Sequence, residues 1–279
     1  MKSIASPALA IAAALCLGPV ISTAQNDPAP EESADRPDPE RGPRPDTSNL
    51  PEIAKPKIED LGDGRVRVGS VVVNKETKEI SFDAELNYSE MPLEFALVAE
   101  NGKIHEALLV TKARPFDINV ALLLAGAKAG DDRIFDKFVP EENREALTGE
   151  EKAAMEKNRA NKIGIRLDWE IEGEKKTARL EDWVFNRAEK TPMKHTAWIY
   201  NGSKIERGAF QAQYDGSIIA LYLDPYSIAN NPLEGNDDDE RWLPANGLPP
   251  IGTKVAVTIE TAAKAPEPSK EVGAKDEAK

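Results

Sequence analysis

Two histidines and one cysteine are all that the 279 residues carry, and aromatic residues make up only 6% of them. One cysteine, Cys16, cannot close an intramolecular disulfide, and a thiolate zinc site or an iron–sulfur cluster needs several. With only His105 and His195 to act as base, and with neither a Gly-x-Ser-x-Gly elbow nor a glycine-rich phosphate loop, the common nucleophilic and phosphoryl-transfer plans are excluded. Positive charge is also short. There are 36 Lys and Arg against 49 Asp and Glu, a formal net charge of -13, and such a field repels nucleic acid and anionic lipid headgroups.

The first 24 residues read as a secretory signal peptide. Lys2 supplies the positive start, Ile4 to Ile21 is largely apolar, and Ser22-Thr23-Ala24 places small residues before a cut at Gln25. Ser6-Pro7 and Gly18-Pro19 interrupt the run, which is short for a bilayer of about 30 Å. Leu15 precedes Cys16 where a lipoprotein acceptor needs a small residue, so the expectation is a soluble export product, periplasmic or secreted, without a transmembrane segment. Cleavage removes Lys2, Cys16 and no acid, leaving a thiol-free mature chain of net charge -14.

Residues 25–57 hold eight prolines and almost nothing apolar beyond Leu50 and Ile53, a composition expected to stay disordered as a spacer. The tail 263–279 has similar character. The expected globular domain is 58–262, with a polar, charged insertion at 131–161 in which Thr148 and Glu151 form a capping box ahead of a helix at Glu150 to Arg159.

Strand signals dominate that domain. Ile80, Phe82, Ala84, Leu86 and Tyr88 alternate with polar residues, as do Val66 and Val68, the odd positions from Ile163 to Ile171, and Val255, Val257 and Ile259. Asn101-Gly102 and Asp215-Gly216 each predict a two-residue hairpin. In the first of these, Ala99 would face Ile104, Leu97 would face Glu106 and Phe95 would face Leu108. Asp117 is read as the N-cap of a helix at Ile118 to Ala127, apolar nearly all round and expected to sink into the core, with Gly126 and Gly130 as terminators. The resulting fold class is α+β: β-rich, with mostly antiparallel sheets packed on one buried helix and a surface helical insertion.

Chemistry-bearing residues are sparse. His105-Glu106 opens like a zinc-protease motif, but Leu109 stands where the second histidine belongs. In the expected hairpin Glu106 lies on an apolar face, where a carboxylate needs a partner; with Glu94 it forms the candidate catalytic pair, and His105 and Glu106 are candidates for binding. Trp198 and Trp242 are candidate groove aromatics. Asp224, Asp237, Asp238 and Asp239 are candidate Ca²⁺ ligands, although the EF-hand spacing is missing. Asn201-Gly202-Ser203 matches a glycosylation sequon.

Pro92-Leu93-Glu94, Lys103 to Leu109 and Val120 to Ala127 come first in a series of motifs. Glu181-Asp182-Trp183-Val184, Trp198 with Gly202-Ser203, Asp224-Pro225, Asn231-Pro232, Asn236-Asp237-Asp238 with Trp242, Leu248-Pro249-Pro250 and Gly252-Thr253-Lys254-Val255 follow. In that order they resemble the YdjY domain, a family of exported bacterial proteins, from about Val66 to Ile259; 131–161 looks like an addition. The resemblance implies no settled activity and carries over no catalytic residue. The expectation is a non-catalytic module of the cell envelope that binds an envelope protein or glycan, with no nucleic acid partner. The alternatives are a carboxylate-based hydrolase of envelope glycans using Glu94, Glu106 and the Asp224 to Asp239 loop, and a calcium-binding domain.

Overall fold

A computed structural model describes residues 53–87, 91–129, 162–206 and 208–261. The expected insertion helix at Glu150 to Arg159, Gly130, the export segment and the tail lie outside the described residues.

A meander of β1 (Ile58–Gly62), β2 (Arg65–Val68) and β3 (Val71–Asn74) leads into β4 (Glu79–Leu86), which buries Ile80, Phe82, Ala84 and Leu86 as the alternation predicts. Then come β5 (Phe95–Ala99), β6 (Ala107–Thr111) and the helix α1 (Pro115–Leu124). β7 (Lys162–Ile171) and β8 (Glu174–Arg179) form a hairpin, and β9 (Val184–Asn186) lies between β10 (Thr191–Pro192) and β16 (Trp242–Pro244) in a small second sheet. The remaining elements are β11 (Trp198–Tyr200), the pair β12 (Ile205–Glu206) and β13 (Ala209–Phe210), the short α2 (Gln211–Asp215), β14 (Ser217–Ala220), β15 (Ala229–Asn230) and β17 (Lys254–Glu260).

Eight strands close on themselves in the order β4, β17, β7, β11, β15, β14, β5, β6, and the pairs Glu85↔Val110 and Leu86↔Leu109 return the ring to β4. This barrel overturns the expectation of sheets packed on a buried helix. At eight strands a barrel fills its own interior with side chains and needs no helix inside it. α1 is the one helix of seven or more residues among the described residues. It lies beside β2, β3 and β4, and exposes Leu123 and Leu124 at 52% and 39%. Its N-cap is Arg114 rather than Asp117, with Pro115 at the first helical position. Gly126 ends it as expected: at φ +94° its N–H donates to Leu123 while Ala127 N–H donates to Leu122, the double bond of a Schellman cap.

Neither Asn-Gly nor Asp-Gly makes the expected hairpin. β5 and β6 run parallel, with Phe95 opposite Ala107 and Leu97 opposite Leu109, so the antiparallel register through Glu106 does not exist. Residues 100–106 carry the chain back over the outside of β5 and end in a 3-10 turn, Ile104–Glu106. Such a short return fits because Gly102 packs directly on Gly216; a Cβ on Gly216 would stand 2.5 Å from Gly102 Cα. Gly216, at φ +68°, is the left-handed C-cap of α2. A second parallel pair, β14 with β15, is joined by residues 221–228. There Asp224 accepts from Tyr226 N–H and Ser227 Oγ, while Asn230 receives the Asp224 N–H and donates to Asn201 Oδ1. Buried side-chain amides thus supply backbone partners that an irregular crossover lacks.

Candidate functional site

Alternation on β4 turns Glu79, Ser81, Asp83 and Glu85 away from the core. β4 changes partner along its length: β3 pairs with it from Glu79 to Ser81, and β6 pairs with it at Glu85 and Leu86. In the fork between them Thr111 Oγ1 donates to the Asp83 carbonyl at 2.5 Å. Three recesses open on this outer wall, of about 820, 650 and 390 Å³, and Asp83 lines all of them. Ala256, directly opposite both Asp83 and Asp168 in register, floors two of the three with a methyl group.

Charge alternates along the groove. Lys254 pairs with Glu85, Lys112 lies 3.7 Å from Glu100, and Arg166 Nε lies 3.1 Å from Asp168. Glu170 stands opposite Lys175 across the hairpin. The Asp83 carboxylate, exposed at the junction, has no hydrogen-bond or ion-pair partner among the described residues. Nothing in the sequence pattern distinguishes Asp83 from the other outward acids of β4; only the fork does.

Glu94 and Glu106, the candidate catalytic pair, are brought together, but by a lysine. Lys103 Nζ lies 2.7 Å from Glu94 Oε2 and 3.1 Å from Glu106 Oε2, and 5.7 Å from the centre of the Phe95 ring. Burial raises the pKa of Glu94, Lys103 pulls it back, and the negative charge of Glu106 adds to the rise. Burial works to lower Lys103, yet its two carboxylates outweigh this and hold the ammonium above its ordinary range. Two acids thus share one cation. The ammonium occupies the space between the carboxylates that a glycosidic oxygen or a water needs. His105 is 76% exposed and touches only Glu106 among these groups, at 3.3 Å.

The other candidates have structural partners. Trp198 and Trp242 are fully buried; their indole N–H groups donate to Glu181 Oε1 at 3.0 Å and to the Gly235 carbonyl at 3.1 Å. Asp224 is buried within its own crossover, whereas Asp237, Asp238 and Asp239 are exposed. Among the described residues no group of three or more His, Cys, Asp or Glu side chains converges in a way that would hold a metal ion. Asn201 of the sequon is buried, and its amide donates to the Ser227 carbonyl.

Sequence reasoning passed over one polar cluster. Glu181 is fully buried, receives Arg179 at 3.2 and 3.3 Å, and accepts from Trp198 and the Thr196 N–H. Beside it His195 Nε2 lies 2.6 Å from Asp182 Oδ1, and Asp182 Oδ2 accepts the Arg179 N–H at 2.9 Å. The run Glu181-Asp182-Trp183 was its signal, but His195, Thr196 and Trp198 reach it from more than a dozen residues away, an approach that no local pattern encodes. Tyr200, whose hydroxyl donates to Asn119 at 2.7 Å, has its pKa pushed far up by burial.

These residues define a class: a closed eight-stranded barrel with an external meander and a groove of alternating charge on its outer wall. The chain belongs to the YdjY domain family, whose sequence model matches residues 71–260, from β3 through β17. No curated protein and no solved structure matches it.

Proposed function

We propose that the protein is exported, loses residues 1–24, and acts in the cell envelope as a non-catalytic binding module whose ligand lies in the groove at Asp83. The observation that carries this reading is the meeting of three recesses at one carboxylate that has no partner of its own, on a wall whose other acids mostly face lysine or arginine. Alternating charge over a long open groove suits an extended chain carrying both signs, with an ammonium group seated on Asp83. The acidic field of the whole molecule favours the same sign of partner.

Ligand recovered from an envelope extract on the wild-type protein, identified and then titrated back, tests the site. Asp83→Lys removes the anchor, and Ala256→Trp fills two recesses without touching the barrel interior. Each is expected to weaken binding about tenfold or more, roughly 1.4 kcal/mol. Ile205→Ser, on a strand that lines none of the recesses, is the control and keeps affinity. Unchanged binding in both groove variants defeats the reading.

A further inference from the structure

The chain contains three Asn-Gly pairs, Asn101-Gly102, Asn201-Gly202 and Asn246-Gly247. Such a pair is a reactive dipeptide. The glycine amide nitrogen can attack the asparagine side-chain carbonyl; a C–N bond forms, ammonia leaves with the side-chain nitrogen, and a five-membered succinimide results. Water then opens that ring to aspartate or to its β-linked isomer, so the balance is one water consumed and one ammonia released. No catalyst or redox partner is needed. The step requires a glycine N–H that is free to lose its proton and a side chain that is free to swing onto it.

Folding denies both requirements at two of the pairs. Gly102 N–H donates to the Ala99 carbonyl at 2.9 Å, and Asn101 Nδ2 donates to the Gln213 and Tyr214 carbonyls at 3.1 and 3.0 Å. Gly102 is also pressed onto Gly216, so its backbone cannot move towards a ring geometry. Gly202 N–H donates to the Ile228 carbonyl at 2.9 Å; buried Asn201 donates to Ser227 and accepts from Asn230. Each of these side chains is thus a working part of a crossover.

The third pair is open on every count. Asn246 and Gly247 are exposed, form a turn after β16, and neither the asparagine side chain nor the glycine N–H has a hydrogen-bond partner among the described residues. Around Gly247, at φ +78°, a built Cβ would meet no atom within 4 Å. We infer that Asn246 is a site of spontaneous modification in the folded protein, converting through succinimide to aspartate and β-linked aspartate, and that the fold protects Asn101 and Asn201 from the same chemistry.

The full mature protein, held folded at mildly alkaline pH and sampled over weeks, tests this by peptide mapping with mass spectrometry that separates the two aspartate isomers. Each protected pair must break at least two hydrogen bonds before its ring can close, so conversion at Asn246 is expected at least about tenfold faster than at either other site. The same protein unfolded in urea should convert all three at similar rates, which separates protection by the fold from a difference in local sequence. Equal rates at the three sites in the folded protein, or an unchanged Asn246 while the urea sample converts, overturns the inference.

Discussion

At the scale of single residues, burial governs the titration of Glu94. Its pKa in the folded protein lies above the ordinary value, with burial as the main cause. A raised carboxyl pKa means that the protonated form favours folding below about pH 4.3, and that this contribution is lost as pH climbs through the raised value. Glu94→Gln keeps the shape and cannot ionise. Its melting temperature is therefore expected to match wild type in acid and to exceed it increasingly towards neutral pH, as followed by circular dichroism. A wild type more stable than the variant at neutral pH would mean that the Lys103 contact outweighs burial. The sequence made Glu94 and Glu106 candidates because acids near apolar strands need partners. It did not identify Lys103 as that partner, since the pairing depends on a chain reversal that places residues 94, 103 and 106 together.

Among elements, the two crossovers separate what local pattern encodes from what packing imposes. Alternation in β4, β7 and β17 was legible because one face of each strand is buried, and period two records that directly. Direction was not legible. Asn-Gly and Asp-Gly report positive or permissive φ, which a hairpin, a helix cap or a close backbone contact can each require. Here Gly102 answers to its contact with Gly216, and Gly216 answers both to that contact and to the left-handed cap of α2. Gly216→Ala is accordingly expected to cost more than Gly247→Ala in urea denaturation. Both lose about 1 to 2 kcal/mol from left-handed backbone, and the first adds about 1 to 3 kcal/mol of overpacking. Similar midpoints for the two variants would show that the glycine contact is not under pressure.

For the whole molecule, the proposed export carries a prediction about its thiol. If residues 1–24 are removed, the protein recovered from the envelope begins at Gln25 and carries no cysteine, so thiol reagents should leave its mass unchanged and reductant should leave its melting temperature unchanged. A mass that includes Met1, or a thiol adduct, would contradict this. By itself the sequence determined the alternating faces of β4, β7 and β17, the glycine that ends α1, the acidic field and the family, because periodicity, caps and composition are local or additive quantities. Only the tertiary structure decided that the strands close into a barrel, that two pairs run parallel, and that Asp83 sits at a junction. Those depend on which distant segments meet, and that is set by closing one continuous core rather than by any window of residues.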